Sequence, residues 1–177
     1  MKLQAGDKIT KLELPSISGE MFDINTIAGK KALVTFYRFA TCPFCNLRIF
    51  EINQRFEELG TNFNVVAIFD SNINFLTKSM KKHDTPFIVL ADENFKYFKK
   101  YDVEQSTWKF LVGSTVGFFR LCRALSKGYI PFVMKGSLRT VPVDILINSD
   151  GTIEKVYYGK NTADHLNFEE IKNFSFK

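Results

Sequence analysis

Two cysteines stand two residues apart in Cys42-Pro43-Phe44-Cys45, between an apolar run, Ala32-Leu33-Val34-Thr35-Phe36-Tyr37, and an amphipathic stretch over 47–59. Few folds accommodate that order. The apolar run reads as a strand buried in a sheet, and its end must lead at once into a helix. Pro43 suits the first helical position, where its missing N–H leaves no hydrogen bond unmade. A helix N-terminus offers unpaired N–H groups and a positive dipole end, which favour thiolate over thiol. A second sulfur within reach resolves an oxidised or mixed-disulfide intermediate in place. The pattern is one of redox chemistry, with Cys42 and Cys45 as the catalytic candidates.

The remaining segments build a sheet around that strand. Leu12-Glu13-Leu14-Pro15, a turn at Ser18-Gly19 and residues 21–24 read as an entry hairpin. In the helix after the cysteines Ile49, Ile52, Phe56 and Leu59 share one face. Arg48, Glu51, Arg55 and Glu58 share the other, with Glu51 and Arg55 spaced for an i,i+4 pair and Gly60 placed to end the helix. A strand over 63–69, a helix over 74–82, a strand over 86–90 and a short helix over 95–101 follow. A helical insertion over about 105–127 carries Gly113 and Gly117. Two last strands, Ile145-Leu146-Ile147 and 153–158, flank the turn Asn148-Ser149-Asp150-Gly151, and a helix over 168–174 closes the chain. This order predicts an α/β fold with a central mixed β-sheet flanked by helices, as a single domain over 1–177.

Composition narrows the function. Three cysteines in 177 residues exclude a disulfide-stapled scaffold. The first residues form no apolar leader, and no run reaches the roughly 18 apolar residues of a membrane span, so a cytoplasmic protein is expected. The net charge of +5 raises a nucleic-acid reading, but Lys78/Lys81/Lys82 and Lys96/Lys99/Lys100 lie at helical spacing and read as solvated faces. A structural zinc would need two ligands beyond the CxxC pair from Cys122, His83 and His165, with no second CxxC. Asn46 after Cys45 excludes the c-type haem signature. No metal and no organic cofactor are expected. Cys122 reads as a buried small hydrophobe rather than a distal resolving thiol. Trp108 to Leu125 reads as packing onto the domain rather than as a membrane-surface helix, and His83 and His165 as surface or packing residues.

Three segments carry a resemblance: Gly6-Asp7 to Leu14-Pro15 with Ser18-Gly19, the stretch Thr35-Phe36-Tyr37-Arg38-Phe39-Ala40-Thr41-Cys42-Pro43-Phe44-Cys45, and Val141-Pro142-Val143-Asp144-Ile145-Leu146-Ile147-Asn148-Ser149-Asp150-Gly151-Thr152-Ile153. In these the chain resembles a thioredoxin-fold protein of the peroxiredoxin type, the alkyl hydroperoxide reductase and thiol-specific antioxidant family. The resemblance implies a thioredoxin-like fold and a thiol-dependent antioxidant oxidoreductase acting on peroxides or disulfides. It also implies re-reduction by an external thiol of thioredoxin or glutathione type, no nucleic-acid or membrane partner, and room for a homodimer.

Counted on the peroxiredoxin pattern, Cys45 falls in the peroxide-reacting column, with Arg38 at the Pro and Cys42 at the Thr. The arginine of that pattern before the later strand is Pro142 here. Counted on the thioredoxin pattern, Cys42 attacks, Cys45 resolves and Pro142 is the cis-proline, while Phe36 replaces the buried acid. Both routes end in a Cys42–Cys45 disulfide. Arg38 is a candidate for stabilising a thiolate or polarising a peroxide oxygen, set against an exposed strand-end arginine. Thr41 is a candidate helix cap or hydrogen-bond donor to sulfur. A cis Pro142 would present the backbone of Val141 to an extended substrate strand. The competing class is a non-enzymatic binding or redox-sensing module that offers the Pro142 edge and the insertion to a partner.

Overall fold

The computed structural model describes residues 2–131, 133 and 136–177. At its centre β3 (Lys31–Tyr37) pairs in parallel with β4 (Phe63–Phe69), which pairs in parallel with β5 (Ile88–Ala91). On its other side β3 runs antiparallel to β6 (Val143–Ile147), and β6 to β7 (Ile153–Tyr158), giving the mixed order β5-β4-β3-β6-β7. Two parallel strands need a crossover, and α1 (Pro43–Gln54) supplies it between β3 and β4. The entry hairpin is β1 (Glu13–Pro15) with β2 (Met21–Asp23), joined to β5 by a bridge between Ser16 and Leu90.

The alternation of a strand divides the core into two layers. Leu33, Tyr37, Val65, Ala67 and Phe69 face α1, α2 (Ile73–Met80) and the C-terminal helix (Phe168–Phe176). Ala32, Val34, Phe36, Val66 and Ile68 face the hairpin and α3 (Lys96–Lys100). Burial on both sides explains why β3 and β4 read as continuous apolar runs.

The insertion leaves and returns through a stem. Val141 N–H donates to Glu104 O at 2.8 Å, Ser106 N–H donates to Arg139 O at 2.9 Å, and Gln105 bridges Thr140. Beyond the stem lie α4 (Thr107–Val116) and α5 (Phe118–Ser126), and the C-terminal helix is therefore α6. Gly117 makes the break. A Cβ there would sit 2.5 Å from Gly113 O and 2.9 Å from Phe44 Cε1, so only glycine lets the insertion turn against the CxxC loop.

Several local expectations are corrected. The helix after the cysteines ends at Gln54, and 56–58 is a 3-10 turn, so Gly60 does not end it. Arg48 is buried, its Nη2 donating to Leu166 O at 2.7 Å, rather than lying on a solvated face. Arg55 pairs with Glu58 and Glu169, and Glu51 instead faces Arg120 and Arg123 of α5. No helix among the described residues is long and apolar enough to cross a membrane.

Candidate active site

The last parallel pair of β3 and β4 is Tyr37 with Phe69, so the next residues, Arg38 and Asp70, leave the sheet at the same edge. Val141 and Pro142 enter β6 there, because Val143 pairs with Phe36. Carboxyl ends of parallel strands are where α/β folds gather functional groups. Here they gather the buried Arg38 and Asp70 beside the two thiols, while Asp92, which leaves β5 at the same edge, accepts from the N–H groups of Lys96, Tyr97 and Phe98.

Cys42 is the N-cap of α1. Its N–H donates to Phe39 O at 3.0 Å, and its Sγ accepts from the Cys45 N–H at 3.3 Å, with Pro43 at the first helical position as predicted. Both thiols are free and buried. Burial pushes Cys42 up, but the Cys45 thiol, the Arg38 charge and the N–H groups of Cys45 and Phe44 outweigh it and hold Cys42 down at about 6. Burial raises Cys45 well above the ordinary thiol range, and so does its neighbour Cys42 as hydrogen-bond acceptor and as charge. The same site thus pushes the two sulfurs in opposite directions, Cys42 toward thiolate and Cys45 toward thiol.

Arg38 is 2% exposed, not the solvated strand-end residue of the alternative reading. Its Nη1 donates to Leu138 O at 3.1 Å, its guanidinium lies 5.5 Å from the Phe44 ring centre, and its Nε has no protein partner. Burial favours its neutral form, yet Cys42, Cys45 and Asp70 keep it charged.

Asp70 is the principal residue that the sequence reading missed. One carboxylate oxygen accepts from Ser137 N–H at 3.1 Å and from Thr140 Oγ1 at 3.2 Å, and the other is buried without a partner. Burial raises it to about 8, opposed by those hydrogen bonds, while Cys42 raises it further and Arg38 lowers it. Its signal in the sequence is its place, first after an apolar strand parallel to the one that ends at Arg38.

Asn46 braces the loop. Its Nδ2 donates to Ala40 O at 2.8 Å and to Cys42 O at 2.9 Å, so its Oδ1 must accept from His83 Nε2 at 2.7 Å. Burial, then Lys82, lowers His83 to about 4, and it stacks on Tyr129 with ring centres 5.2 Å apart. The His165 side chain is 3% exposed, its Nδ1 3.2 Å from the buried Asp144. Both histidines are packing residues.

Three expectations fail at this edge. Thr41 neither caps the helix nor reaches a sulfur: Cys42 is the cap, and Thr41 Oγ1 donates to Val133 O at 2.6 Å, pinning the returning insertion. No cis peptide occurs among the described residues, so Pro142 is trans. Its carbonyl accepts from Gly159 N–H at 2.9 Å and the Val141 N–H is spent on Glu104, so the stem takes the edge that a substrate strand would use. Cys122, expected to be buried, is exposed on α5.

Residues 5–156 match the AhpC/TSA family. Peroxiredoxin Bcp of Escherichia coli (strain K12) is 26% identical over 164 residues, 92% of this chain and 90% of that protein. The crystal structure of Peroxidoxin BcpB from Mycobacterium tuberculosis superposes with a TM-score of 0.71 at 13% identity, covering 98% of this chain and 97% of that one. A putative thiol:disulfide interchange protein DsbE from Chlorobium tepidum superposes at 0.62 with 16% identity, covering 99% and 100%. The last two share the fold.

Proposed function

The chain belongs to the AhpC/TSA family, and from that premise we propose a thiol-dependent peroxidase in which Cys42 attacks and Cys45 resolves. The observation that carries the assignment is the placement of the two sulfurs: Cys42 is the N-cap of α1, its Sγ accepts from the Cys45 N–H at 3.3 Å, and Cys45, Arg38 and the α1 N–H groups lower its pKa, whereas burial raises that of Cys45. The Cys42 thiolate attacks the terminal oxygen of a hydroperoxide. The O–O bond breaks, the sulfur becomes a sulfenic acid, and the departing alkoxide takes a proton and leaves as alcohol. Asp70, neutral up to about pH 8, is the group placed to hold that proton. Cys45 then attacks the Cys42 sulfur, the Cys45 proton and the sulfenic hydroxyl leave as water, and a Cys42–Cys45 disulfide forms.

An external thiol of thioredoxin or glutathione type returns the pair to dithiol, which suits a reducing compartment such as the cytoplasm. Disulfide reduction could use the same attack by Cys42. The Val141 edge disfavours an extended polypeptide as substrate, since its N–H already donates to Glu104 O.

The test is the second-order rate of the reduced protein with hydrogen peroxide, followed by mass spectrometry of quenched samples. Cys45→Ser should accumulate sulfenic acid on Cys42, and Cys42→Ser should be inert. A fast Cys42→Ser variant oxidised at Cys45 would reverse the two roles. A wild-type rate no better than that of free cysteine would exclude the peroxidase.

A further inference from the structure

Large apolar side chains project outward along α4 and α5. Trp108 is 74% exposed, Val116 73% and Phe119 85%, with Leu111, Phe118 and Leu125 exposed beside them. The pair packs on the domain through Gly113, Gly117, Leu121 and Ala124, and α5 is tied to α1 by the ion pairs of Arg120 and Arg123 with Glu51. The expectation that the whole stretch packs inward therefore holds for its inner side alone. Single exposed apolar residues are ordinary, but a run of them along two successive helices marks a contact surface.

Charge identifies the partner. Residues 105–143 contain six basic residues and no acid, whereas the rest of the chain has 18 basic residues and 19 acidic. The whole net positive charge of the protein thus belongs to the insertion and its return. Two acids from outside reach it: Glu104 pairs with Lys109, and Glu51 with Arg120 and Arg123. An excess of positive charge remains. A second copy across a two-fold axis would set this cationic face against itself, which disfavours a self-paired interface. Aromatic and aliphatic side chains turned to solvent, with Arg and Lys interleaved and no acid, are the composition of helices that lie in the headgroup region of an anionic bilayer.

We propose that α4 and α5 form an interfacial anchor that seats the protein on anionic lipid surfaces. Trp108, Phe118 and Phe119 enter the headgroup boundary, and the exposed Lys127 and Arg139, rather than the paired Lys109 and Arg123, face lipid phosphates. The inference does not depend on which sulfur reacts or with what.

Trp108 is the single tryptophan of the chain, so the surface carries its own reporter. The experiment is co-sedimentation of the full chain with phosphatidylglycerol or phosphatidylcholine vesicles, read together with tryptophan emission. Binding to phosphatidylglycerol with a blue shift, weakened by salt and at least about ten-fold weaker on phosphatidylcholine, is expected. Lys127→Gln and Arg139→Gln should each weaken it about five-fold. Phe119→Ser should weaken it with an unchanged melting temperature, and Cys42→Ser should bind like wild type. That last result separates failure of the anchor from failure of the redox assignment.

Failure to sediment with phosphatidylglycerol, or sedimentation without an emission shift, overturns the proposal. So does a solution dimer that Phe119→Ser dissolves, which would make the face a contact between copies. Binding to polyglutamate but not to vesicles would overturn it in favour of an acidic protein partner.

Discussion

Replacing Arg38 by Met tests the electrostatic basis of the site. Cys42 is held down at about 6, against the ordinary thiol value of 9.0, although it is fully buried. Of the groups that hold it there, Arg38 is the only formal charge; the others are hydrogen bonds that the substitution leaves in place. An opposite charge in contact is worth about 1–3 pKa units, so Arg38→Met should raise Cys42 from about 6 to about 8. At neutral pH the thiolate fraction then falls from about nine-tenths to about one-tenth, and the reaction slows about ten-fold.

The measurement is the pH dependence of iodoacetamide alkylation of Cys42 in a Cys45→Ser background, where the serine hydroxyl still donates to the sulfur. Stability supplies a second reading. Because the folded-state pKa of Cys42 is depressed, its ionisation stabilises the fold at pH values above the ordinary thiol pKa, and that contribution is lost as pH falls through about 6. Arg38→Met should shrink this loss. The substitution removes a buried Nε without a partner but leaves Leu138 O without its donor, so below about pH 6, where Cys42 is protonated in both proteins, the net stability change should stay within about 1 kcal/mol. An alkylation pKa that moves by less than about half a unit would refute the role of Arg38, because a contacting charge must do more than that.

Asp70→Asn should remove a limb of the pH profile: wild-type peroxide reduction falls as pH rises through about 8, where Asp70 loses its proton, and the variant should run about 100-fold slower below that point without the fall. The folded-state pKa of Asp70 is raised, so its contribution to stability is full below the ordinary carboxylate pKa and lost as pH rises through about 8; the variant should resist alkaline unfolding better than wild type. Asn46→Ala strips partners from Ala40 O, Cys42 O and His83 Nε2 inside the core, and urea unfolding should report a loss of about 1–3 kcal/mol.

The fold was largely legible because burial on two faces writes itself into sequence. β3 and β4 are unbroken apolar runs, and the Asp150-Gly151 turn sits between the two antiparallel strands. The redox pair was legible because Cys42, Pro43 and Cys45 form a local pattern that needs no partner from elsewhere in the chain. Asp70 and His83 were not legible for the opposite reason: each acts through residues 30 or more positions away, and the only local mark is the place of Asp70 at the end of an apolar strand. Pro142 misled because a Val-Pro before a strand looks the same whether its backbone is free or spent. Only the stem to Glu104 distinguishes the two, and the insertion that creates the stem has no counterpart in a local motif. Arg48 misled through its charge, since a long side chain at a polar position can reach inward to a carbonyl such as Leu166 O.

The enclosure of the two sulfurs has a further consequence, which concerns time rather than affinity. A thiolate with a pKa near 6 standing in open water would be consumed by any passing electrophile. Cys42 instead is fully buried, covered by a cluster that includes Phe44 and, packed against it, Leu121 and Leu138. Its reactivity is therefore released only in intervals when that cover parts. The frequency of parting sets a ceiling on turnover that no increase in oxidant concentration can exceed. The same brief exposure limits how often a freshly formed sulfenic acid meets a second oxidant before Cys45, already in the enclosure, closes the disulfide.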